Sequence, residues 1–268
     1  MNKSTTPRTA IIDLDIPLYQ CAARAEKEWE GAEECIQHVC AKIEHIKASA
    51  FCSEALLVYS GPENFRKILF PETYKVGRGP KPDVYAETLA GVLELYGPDV
   101  CITRDGIEAD DYIGVKATDG SVLNPVICSI DKDLLQIPGW HYRFGYAHYP
   151  EGDSFPRLVT EEEASKNLFI QLLTGDSTDG IKGLVGVGKV GAQREYEIVA
   201  AHTDWSPRLG GAIRCAEEAY HDKGQVADFS DNLLQAFIWR SPMPSYVRTL
   251  ANRHPYLNNY LDNWKGLQ

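Results

Sequence analysis

The sequence predicts an α/β domain with a mostly parallel sheet flanked by helices, followed by an all-α C-terminal module. In the first 160 residues, short apolar runs rich in β-branched residues alternate with stretches of helical periodicity. Alternation of this kind is typical of a parallel sheet covered by helices. After Thr160 the helical patterns continue to the end of the chain. We therefore predict an α/β domain over residues 1–165 and a helical module over residues 166–268.

Five strands are predicted in the first domain. They are Thr9–Leu14, Ala55–Tyr59, Val100–Thr103, Val126–Ile130 and Tyr142–Gly145. The apolar residues from Ile36 to Ala50 recur at helical spacing and predict a helix between the first two strands. The stretch from Phe70 to Pro82 contains three prolines, two glycines and three basic residues. It predicts a mobile basic loop or a short arch.

The C-terminal module is predicted to begin with a capped helix. Thr160 followed by Glu163 has the spacing of a capping box, for a helix that runs to about Leu173. A glycine-rich stretch, Gly183 to Gly191, comes next, and helical sequence follows it.

Composition excludes several classes of protein. The chain has 44% hydrophobic residues but no apolar run long enough for a membrane span, and its start lacks the layout of a secretory signal. Its seven cysteines include no Cys-x-x-Cys pair, which predicts reduced, buried thiols in an intracellular protein and disfavours a zinc site.

The net charge of -11 opposes a nucleic-acid partner when it is taken alone. If eight of the 38 carboxylates bind metal, however, 30 acids face 27 basic residues and the remaining surface is nearly neutral. Net charge therefore does not decide whether the partner is a nucleic acid.

Acidic residues form four groups at the predicted ends of strands and starts of helices, where α/β folds place their ligands. The groups are Asp13 and Asp15; Glu108, Asp110 and Asp111; Asp131 and Asp133; and Asp176 and Asp179. Acids three apart share a helix face, and Asp131 and Asp133 point to one side if their strand persists. Oxygen ligands without His or Cys favour Mg²⁺ or Mn²⁺ over Zn²⁺. Two such ions suit hydrolysis of a phosphodiester, one activating water and the other stabilising the leaving oxygen.

Each acidic group also has a structural interpretation. An Asp at a helix start is often a cap, and Asp-Gly is often a turn. Four such groups at element ends favour a functional interpretation, while the role of Asp15 stays open.

At these residues the sequence resembles the 5′-nuclease superfamily, which includes flap endonucleases, the 5′-nuclease domain of bacterial DNA polymerase I and phage 5′→3′ exonucleases. The short phage exonucleases resemble it most. The resemblance runs from about Thr9 to Ala192. Its pieces are Ile11-Ile12-Asp13, Asn64-Phe65-Arg66-Lys67, Tyr74-Lys75-Val76-Gly77-Arg78, Glu108-Ala109-Asp110-Asp111, Ser129-Ile130-Asp131-Lys132-Asp133 and Thr174-Gly175-Asp176-Ser177-Thr178-Asp179-Gly180.

The resemblance implies a PIN-like catalytic α/β domain and a helix–hairpin–helix-like module with its hairpin near residues 181–192. It implies eight metal-site acids: Asp13, Glu108, Asp110, Asp111, Asp131, Asp133, Asp176 and Asp179. Lys75 and Arg78 would contact the scissile phosphate and stabilise its charge. Further DNA contacts would come from Arg66, Lys67, Tyr74, Lys81, Gly183, Gly186, Gly188 and Lys189.

The implied activity is structure-dependent 5′→3′ exonuclease or flap-endonuclease cleavage that leaves a 5′-phosphate. The implied cofactors are two Mg²⁺ or Mn²⁺ ions, with K⁺ a candidate at the glycine-rich hairpin. The implied partner is DNA with a 5′ end, nick or flap, and RNA–DNA hybrid is a further candidate. We expect a monomer without a membrane partner, in the cytoplasm, or in the host cytoplasm if the chain is phage-encoded.

Two departures from the family pattern affect the site. The family usually has an Asp at the end of the second strand, where this chain has Ser60, a poorer ligand. The family hairpin usually carries Lys-Thr after its last glycine pair, whereas Lys189 here stands one place early and is followed by Val190 and Gly191.

Two other functions fit part of the sequence. A haloacid-dehalogenase-like phosphatase would use Asp13 as nucleophile and Asp15 as acid, but it leaves the acids between Glu108 and Asp133 without a role. A non-catalytic DNA-binding protein of the same fold is favoured only by Ser60.

Overall fold

The structure is a computed structural model that describes residues 7–28, 31–145, 152–201 and 209–262. The chain forms two compact units. The first unit consists of Met1–Pro62, Gly79–Asp131 and Gly139–Leu158, and the second consists of Glu63–Arg78, Lys132–Pro138 and Val159–Gln268. The domain boundary between residues 165 and 166 stays a prediction.

The α/β fold is built on a six-stranded sheet. Its strands are β1 (Thr9–Asp13), β2 (Glu54–Val58), β3 (Cys101–Ile102), β4 (Pro125–Cys128), β5 (Gly139–Tyr142) and β6 (Arg157–Val159), in the order β3-β2-β1-β4-β5-β6. β1 pairs in parallel with both β2 and β4, and the β2–β3 and β4–β5 pairs are parallel as well. The predicted mostly parallel sheet is confirmed. The fifth strand lies earlier than predicted, and β6 was not predicted.

Helices occupy most of the remaining described chain. They are α1 (Asp15–Glu28), α2 (Ala32–Ser49), α3 (Phe65–Leu69), α4 (Tyr85–Tyr96), α5 (Ala109–Thr118), α6 (Glu161–Thr174), α7 (Lys189–Ala200), α8 (Leu209–Asp222), α9 (Val226–Ala236), α10 (Ser245–Ala251) and α11 (Pro255–Asp262), with a 3₁₀ helix at Asp133–Gln136. Residues 70–82, all of them described, form turns and irregular chain, as expected for the predicted loop.

The core of the first unit packs around its central strand, β1. Ile11 and Ile12 on β1 are fully buried, and the apolar face of α2, including Val39 and Ile43, is buried in the same unit. Burial of these side chains removes apolar surface from water and fixes the central strand. The packed core therefore sets the position of the carboxyl end of β1, where Asp13 lies.

The second unit is built around α6. The Thr160 hydroxyl accepts a hydrogen bond from the Glu163 N–H at 3.1 Å, which confirms the predicted N-cap. Leu168, Phe169 and Leu172 of α6 are fully buried. The buried Tyr220 hydroxyl of α8 donates to the Leu172 carbonyl at 2.6 Å, so a polar group also fixes α8 to α6.

All seven cysteines are free thiols, as predicted, and four of them are buried. Cys21, Cys40 and Cys215 are only partly buried, which corrects the prediction for these three residues. Among the described helices, none combines the length and the apolar character that crossing a lipid bilayer requires.

Candidate functional site

The first unit gathers acidic side chains where its central strands end. Asp13 is the last residue of β1 and is 3% exposed. The Ser129 hydroxyl, just after β4, donates to Asp13 Oδ2 at 2.9 Å and accepts from the Asp131 N–H at 3.0 Å. Because β1 and β4 are neighbours, Ser129 holds Asp13 and the chain at Asp131 together at the carboxyl edge of the sheet.

The electrostatics of this edge favour a bound cation. Burial is the largest influence that raises the pKa of Asp13 well above its usual range. Repulsion from the Asp15 and Asp131 carboxylates raises the pKa of Asp13 further, against the opposing hydrogen bond from Ser129. A divalent cation would relieve both the burial penalty and the repulsion, because it stabilises ionised carboxylates.

Asp15, whose role the sequence left open, lies in this acidic group. It is the first residue of α1. Its Oδ2 accepts the Ser60 N–H at 3.1 Å, and its Oδ1 accepts the Tyr85 hydroxyl at 3.0 Å. Burial, and next the Asp15 charge, raise the pKa of Tyr85, so its hydroxyl stays protonated and keeps donating. Two donors thus fix the Asp15 carboxylate beside Asp13.

Ser60 links the end of β2 to the start of α5. Its hydroxyl accepts the Ala109 N–H at 3.0 Å, while its own N–H is bonded to Asp15. The residue that departs from the family pattern therefore positions its neighbours.

Glu108 and Asp111 form a capping box at the start of α5. The Glu108 side chain accepts from the Asp111 backbone, and the Asp111 carboxylate accepts from the Glu108 N–H at 3.4 Å. The structural interpretation of these two acids as caps is therefore correct. It does not remove them from a metal site, because an ionised carboxylate offers about four lone-pair positions. Asp110 lies in the same first turn and is partly buried.

The donor set of the first unit fits a hard cation in its chemistry. Within the described ranges, no three His, Cys, Asp or Glu side chains form a group that could hold a metal ion by themselves. Mg²⁺ binds through one or two carboxylates and keeps several waters, whereas a structural zinc ion needs a closed set of four ligands. The acids of the first unit therefore fit a hard divalent cation as partial ligands.

The second unit contains a separate acidic loop. Asp176 and Ile181 exchange two backbone hydrogen bonds of 2.9 and 2.8 Å, which close a tight turn around Asp179. Lys132 Nζ donates to Asp176 Oδ2 at 2.7 Å, and the Thr178 N–H donates to Asp176 Oδ1 at 2.8 Å. Burial alone raises the pKa of Asp176, but these hydrogen bonds outweigh it and lower that pKa below its usual value.

Lys75 and Arg78, the predicted phosphate contacts, both reach Asp179. Arg78 Nη2 lies 2.7 Å from Asp179 Oδ1, and Lys75 Nζ lies 3.7 Å from Asp179 Oδ2. The Lys75 N–H also donates to the Asp179 carbonyl at 3.0 Å. Lys75 has a φ of 56°, in the left-handed region, and this hydrogen bond helps to hold the backbone there. These contacts join Lys75 and Arg78 to the acidic loop within the second unit.

Asp131 and Asp133 were expected to point to one side if their strand persisted, and the strand does not reach them. β4 ends at Cys128, and Asp133 begins the 3₁₀ helix. Strand alternation therefore does not set the directions of these two side chains.

Arg66 is buried among the residues that end α9. Its Nε donates to the Gln235 carbonyl at 2.8 Å, and its Nη2 donates to the Phe237 carbonyl at 2.7 Å. These bonds satisfy carbonyls that a helix end leaves without partners. The role of Arg66 as a DNA phosphate contact stays a prediction. The two hydrogen bonds to backbone carbonyls disfavour that role, because they hold the guanidinium inside the protein.

The other predicted DNA contacts differ in exposure. Tyr74 is buried, and the Lys75 ammonium lies 4.9 Å from its ring centroid. Lys67 and Lys81 are exposed, and Lys81 Nζ lies 3.9 Å from the ring centroid of Tyr85. On the hairpin, Gly183 is buried, whereas Gly186, Gly188 and Lys189 are exposed. Gly188 is the N-cap of α7, so unpaired N–H groups of its first turn face solvent there.

Gly183 is required where the hairpin meets the acidic loop. Its φ is +67°, and a Cβ would lie 2.3 Å from the Gly175 nitrogen. We expect Gly183→Ala to destabilise the protein by about 3 kcal/mol or more, because backbone would have to move in addition to the strained φ. The midpoint of denaturant unfolding measures this loss.

Gly186→Ala is the matched control for Gly183→Ala. Gly186 has a φ of +83°, but a Cβ there meets nothing within 4 Å. Only the conformational cost of about 1–2 kcal/mol is expected. Equal losses for the two variants would contradict the assigned backbone contact.

Comparisons with known proteins relate the chain to nucleases. No protein-family model matches it. The flap endonuclease Xni of Pseudoalteromonas translucida is 27% identical over 183 residues, covering 64% of this chain and 70% of that protein. The exonuclease of Escherichia phage T7 is 29% identical over 199 residues, covering 66% of this chain and 63% of the exonuclease. DNA polymerase I of Pseudomonas aeruginosa is 33% identical over 193 residues, which cover 66% of this chain and 20% of the polymerase.

A solved structure supports the same relation at the level of fold. The T5 D15 protein, crystallised with metal ions, matches 96% of this chain with a TM-score of 0.60 and 16% identity. The match covers 97% of that protein's chain. The resemblance to the 5′-nuclease superfamily is confirmed, since the homologues of this chain are a flap endonuclease, phage exonuclease and DNA polymerase I.

Proposed function

We propose that this chain is a divalent-metal-dependent 5′→3′ exonuclease or flap endonuclease that hydrolyses DNA and leaves a 5′-phosphate. The observation that carries the proposal is the buried Asp13, held beside Asp15 and Asp131 at the carboxyl edge of a parallel sheet. Buried, mutually repelling carboxylates can stay ionised together when a bound cation offsets their charge. The related flap endonuclease and exonucleases support the choice of reaction.

In this proposal the chain's residues divide the work. Asp13, Glu108, Asp110, Asp111 and Asp131 of the first unit, and Asp133, Asp176 and Asp179 of the second, are the acids available to two Mg²⁺ or Mn²⁺ ions. When bound, such ions polarise the phosphate and lower the pKa of the attacking water. That both acidic groups serve one pair of ions stays a prediction.

Lys75 and Arg78 are proposed to bind the scissile phosphate. The Arg78 side chain is 56% exposed, and its guanidinium can pair with two phosphate oxygens. The exposed glycines of the hairpin and the start of α7 offer backbone N–H groups to duplex phosphates. Potassium at the hairpin, RNA–DNA hybrid as substrate, the monomeric state and a cytoplasmic location stay predictions.

Cleavage assays on matched end-labelled substrates test the proposal. Blunt duplex, nicked duplex, 5′ flap and RNA–DNA hybrid are compared in Mg²⁺ and in a chelator. We expect the flap or the nicked strand to be cut in Mg²⁺ but not in the chelator, and the products to carry 5′-phosphate ends. Undiminished cutting in the chelator contradicts the metal requirement, and binding without cutting identifies a non-catalytic DNA-binding protein. Release of phosphate without chain cutting identifies a phosphatase, a class that the related nucleases do not favour.

A further inference from the structure

Lys132 lies against two of the acids proposed as metal ligands. Its Nζ is 2.7 Å from Asp176 Oδ2 and 4.0 Å from Asp133 Oδ1, and all three residues belong to the second unit. Both carboxylates are largely covered, at 7% and 19% exposure, whereas the Lys132 side chain is 69% exposed. An exposed ammonium group therefore pairs with two largely covered carboxylates.

The ammonium group of Lys132 supplies a single positive charge where a divalent ion would supply two. It is a compact point charge on a flexible stem, and it neutralises carboxylates without a fixed geometry. A divalent ion on Asp176 Oδ2 would lie beside the Lys132 ammonium, which is 2.7 Å from the same oxygen, and two cations at one oxygen repel each other. The lysine and a divalent ion therefore compete for the same oxygen atoms.

We propose that Lys132 is a built-in counter-cation that competes with a divalent ion for Asp133 and Asp176. It offsets one of these two negative charges when no metal is bound, and it swings into solvent when a metal enters. Lys132 thereby sets the metal concentration at which the second unit's acids become occupied. The inference rests on the proposed function, since it takes Asp133 and Asp176 as metal ligands.

Direct Mn²⁺ binding to the full chain, without DNA, tests the inference. Free Mn²⁺ is followed by electron paramagnetic resonance during titration of the wild type, Lys132→Gln and Lys132→Arg. Because a solvent-accessible ion pair has modest strength, Lys132→Gln should bind one Mn²⁺ about three- to fivefold more tightly than the wild type. Lys132→Arg keeps the charge and should stay within about twofold of the wild type.

Two comparisons separate competition from a general charge effect. Lys116→Gln removes a lysine that pairs with Asp119 at 3.6 Å in the first unit, and it should leave Mn²⁺ affinity unchanged. Adding Asp176→Asn to Lys132→Gln should abolish the gain in Mn²⁺ affinity, because position 176 then carries a neutral amide instead of the carboxylate for which Lys132 and Mn²⁺ compete. In a chelator, Lys132→Gln should also melt at a lower temperature than the wild type and recover when Mn²⁺ is added.

The outcomes distinguish the inference from the proposed function. Unchanged or weaker Mn²⁺ binding by folded Lys132→Gln, beside normal binding by the wild type, overturns the inference and leaves the metal site standing. If Lys132→Gln does not fold, Lys132→Met is titrated in its place and judged by the same result. Absence of Mn²⁺ binding in both the wild type and the variant overturns the proposed function, and the inference with it.

Discussion

Asp13→Asn is expected to lower the rate of DNA cleavage by about a thousandfold or more, because it removes a charged ligand from the proposed metal site. The substitution keeps the shape of the side chain, and its amide oxygen can still accept from the Ser129 hydroxyl. Folding and DNA binding should therefore remain. Single-turnover cleavage of a 5′-flap substrate in Mg²⁺, together with binding in Ca²⁺, measures the two effects separately.

The same substitution should stabilise the metal-free protein at neutral pH. The pKa of Asp13 is raised in the folded state by burial and then by Asp15. A carboxyl of this kind contributes stability while it is protonated, fully so below the unfolded pKa of about 4, and loses it as pH rises through the folded pKa. The wild type in a chelator should therefore lose stability as pH rises from 4 toward the raised pKa, and the unfolding midpoint of Asp13→Asn should depend less on pH.

Asp105→Asn provides the control for Asp13→Asn. Asp105 is an exposed acid of the same unit, and Asn there should leave both cleavage and stability near the wild-type values. If Asp13→Asn cleaved DNA at the wild-type rate, the proposed role of Asp13 would be wrong. A stability of the metal-free Asp13→Asn variant below that of the wild type would contradict the electrostatic account of this edge.

Arg78→Ala is expected to reduce kcat by about a hundredfold, because a guanidinium on the scissile phosphate stabilises charge that develops in the transition state. Its Nη2 lies 2.7 Å from Asp179, which aims the otherwise exposed side chain. Arg78→Lys should recover only part of the loss, since an ammonium lacks the paired N–H groups of the guanidinium. Steady-state kinetics on the flap substrate measure the effect.

Arg253→Ala is the matched control for Arg78→Ala. Arg253 is an exposed arginine of the same unit, outside the proposed site, and its loss should leave kcat unchanged. A rise in KM alone for Arg78→Ala would show that the guanidinium only binds substrate. Equal losses in the two arginine variants would point to a nonspecific charge effect.

Local signals in the sequence predicted much of the fold. The apolar run that forms β1 and the helical spacing that forms α2 depend on neighbours in the chain, and so does the cap at Thr160. Predicted ends shifted where tertiary hydrogen bonding decided them. The strand predicted as Val126–Ile130, for example, is β4, which ends at Cys128, and a 3₁₀ helix begins at Asp133.

The internal order of the site depends on long-range contacts that periodicity does not encode. Asp13 is bonded to Ser129, 116 positions away, and Asp15 is bonded to Ser60, 45 positions away. Lys132 reaches Asp176 across 44 positions. The sequence signal that could have identified Ser60 and Ser129 was a short polar side chain next to the end of a predicted strand. Nothing in the local sequence separates Lys132 from an ordinary solvated lysine.

The most direct test of the account is cleavage by Asp131→Asn, Asp176→Asn and the double variant, with DNA binding measured in parallel. In the proposed function, acids far apart in the sequence serve one reaction. Each single variant should therefore lose most of the activity, and the double variant should abolish cleavage while DNA binding stays within about threefold of the wild type, because residues that act as a unit have non-additive effects. Full activity in the double variant, or two small losses that simply multiply, would contradict the account.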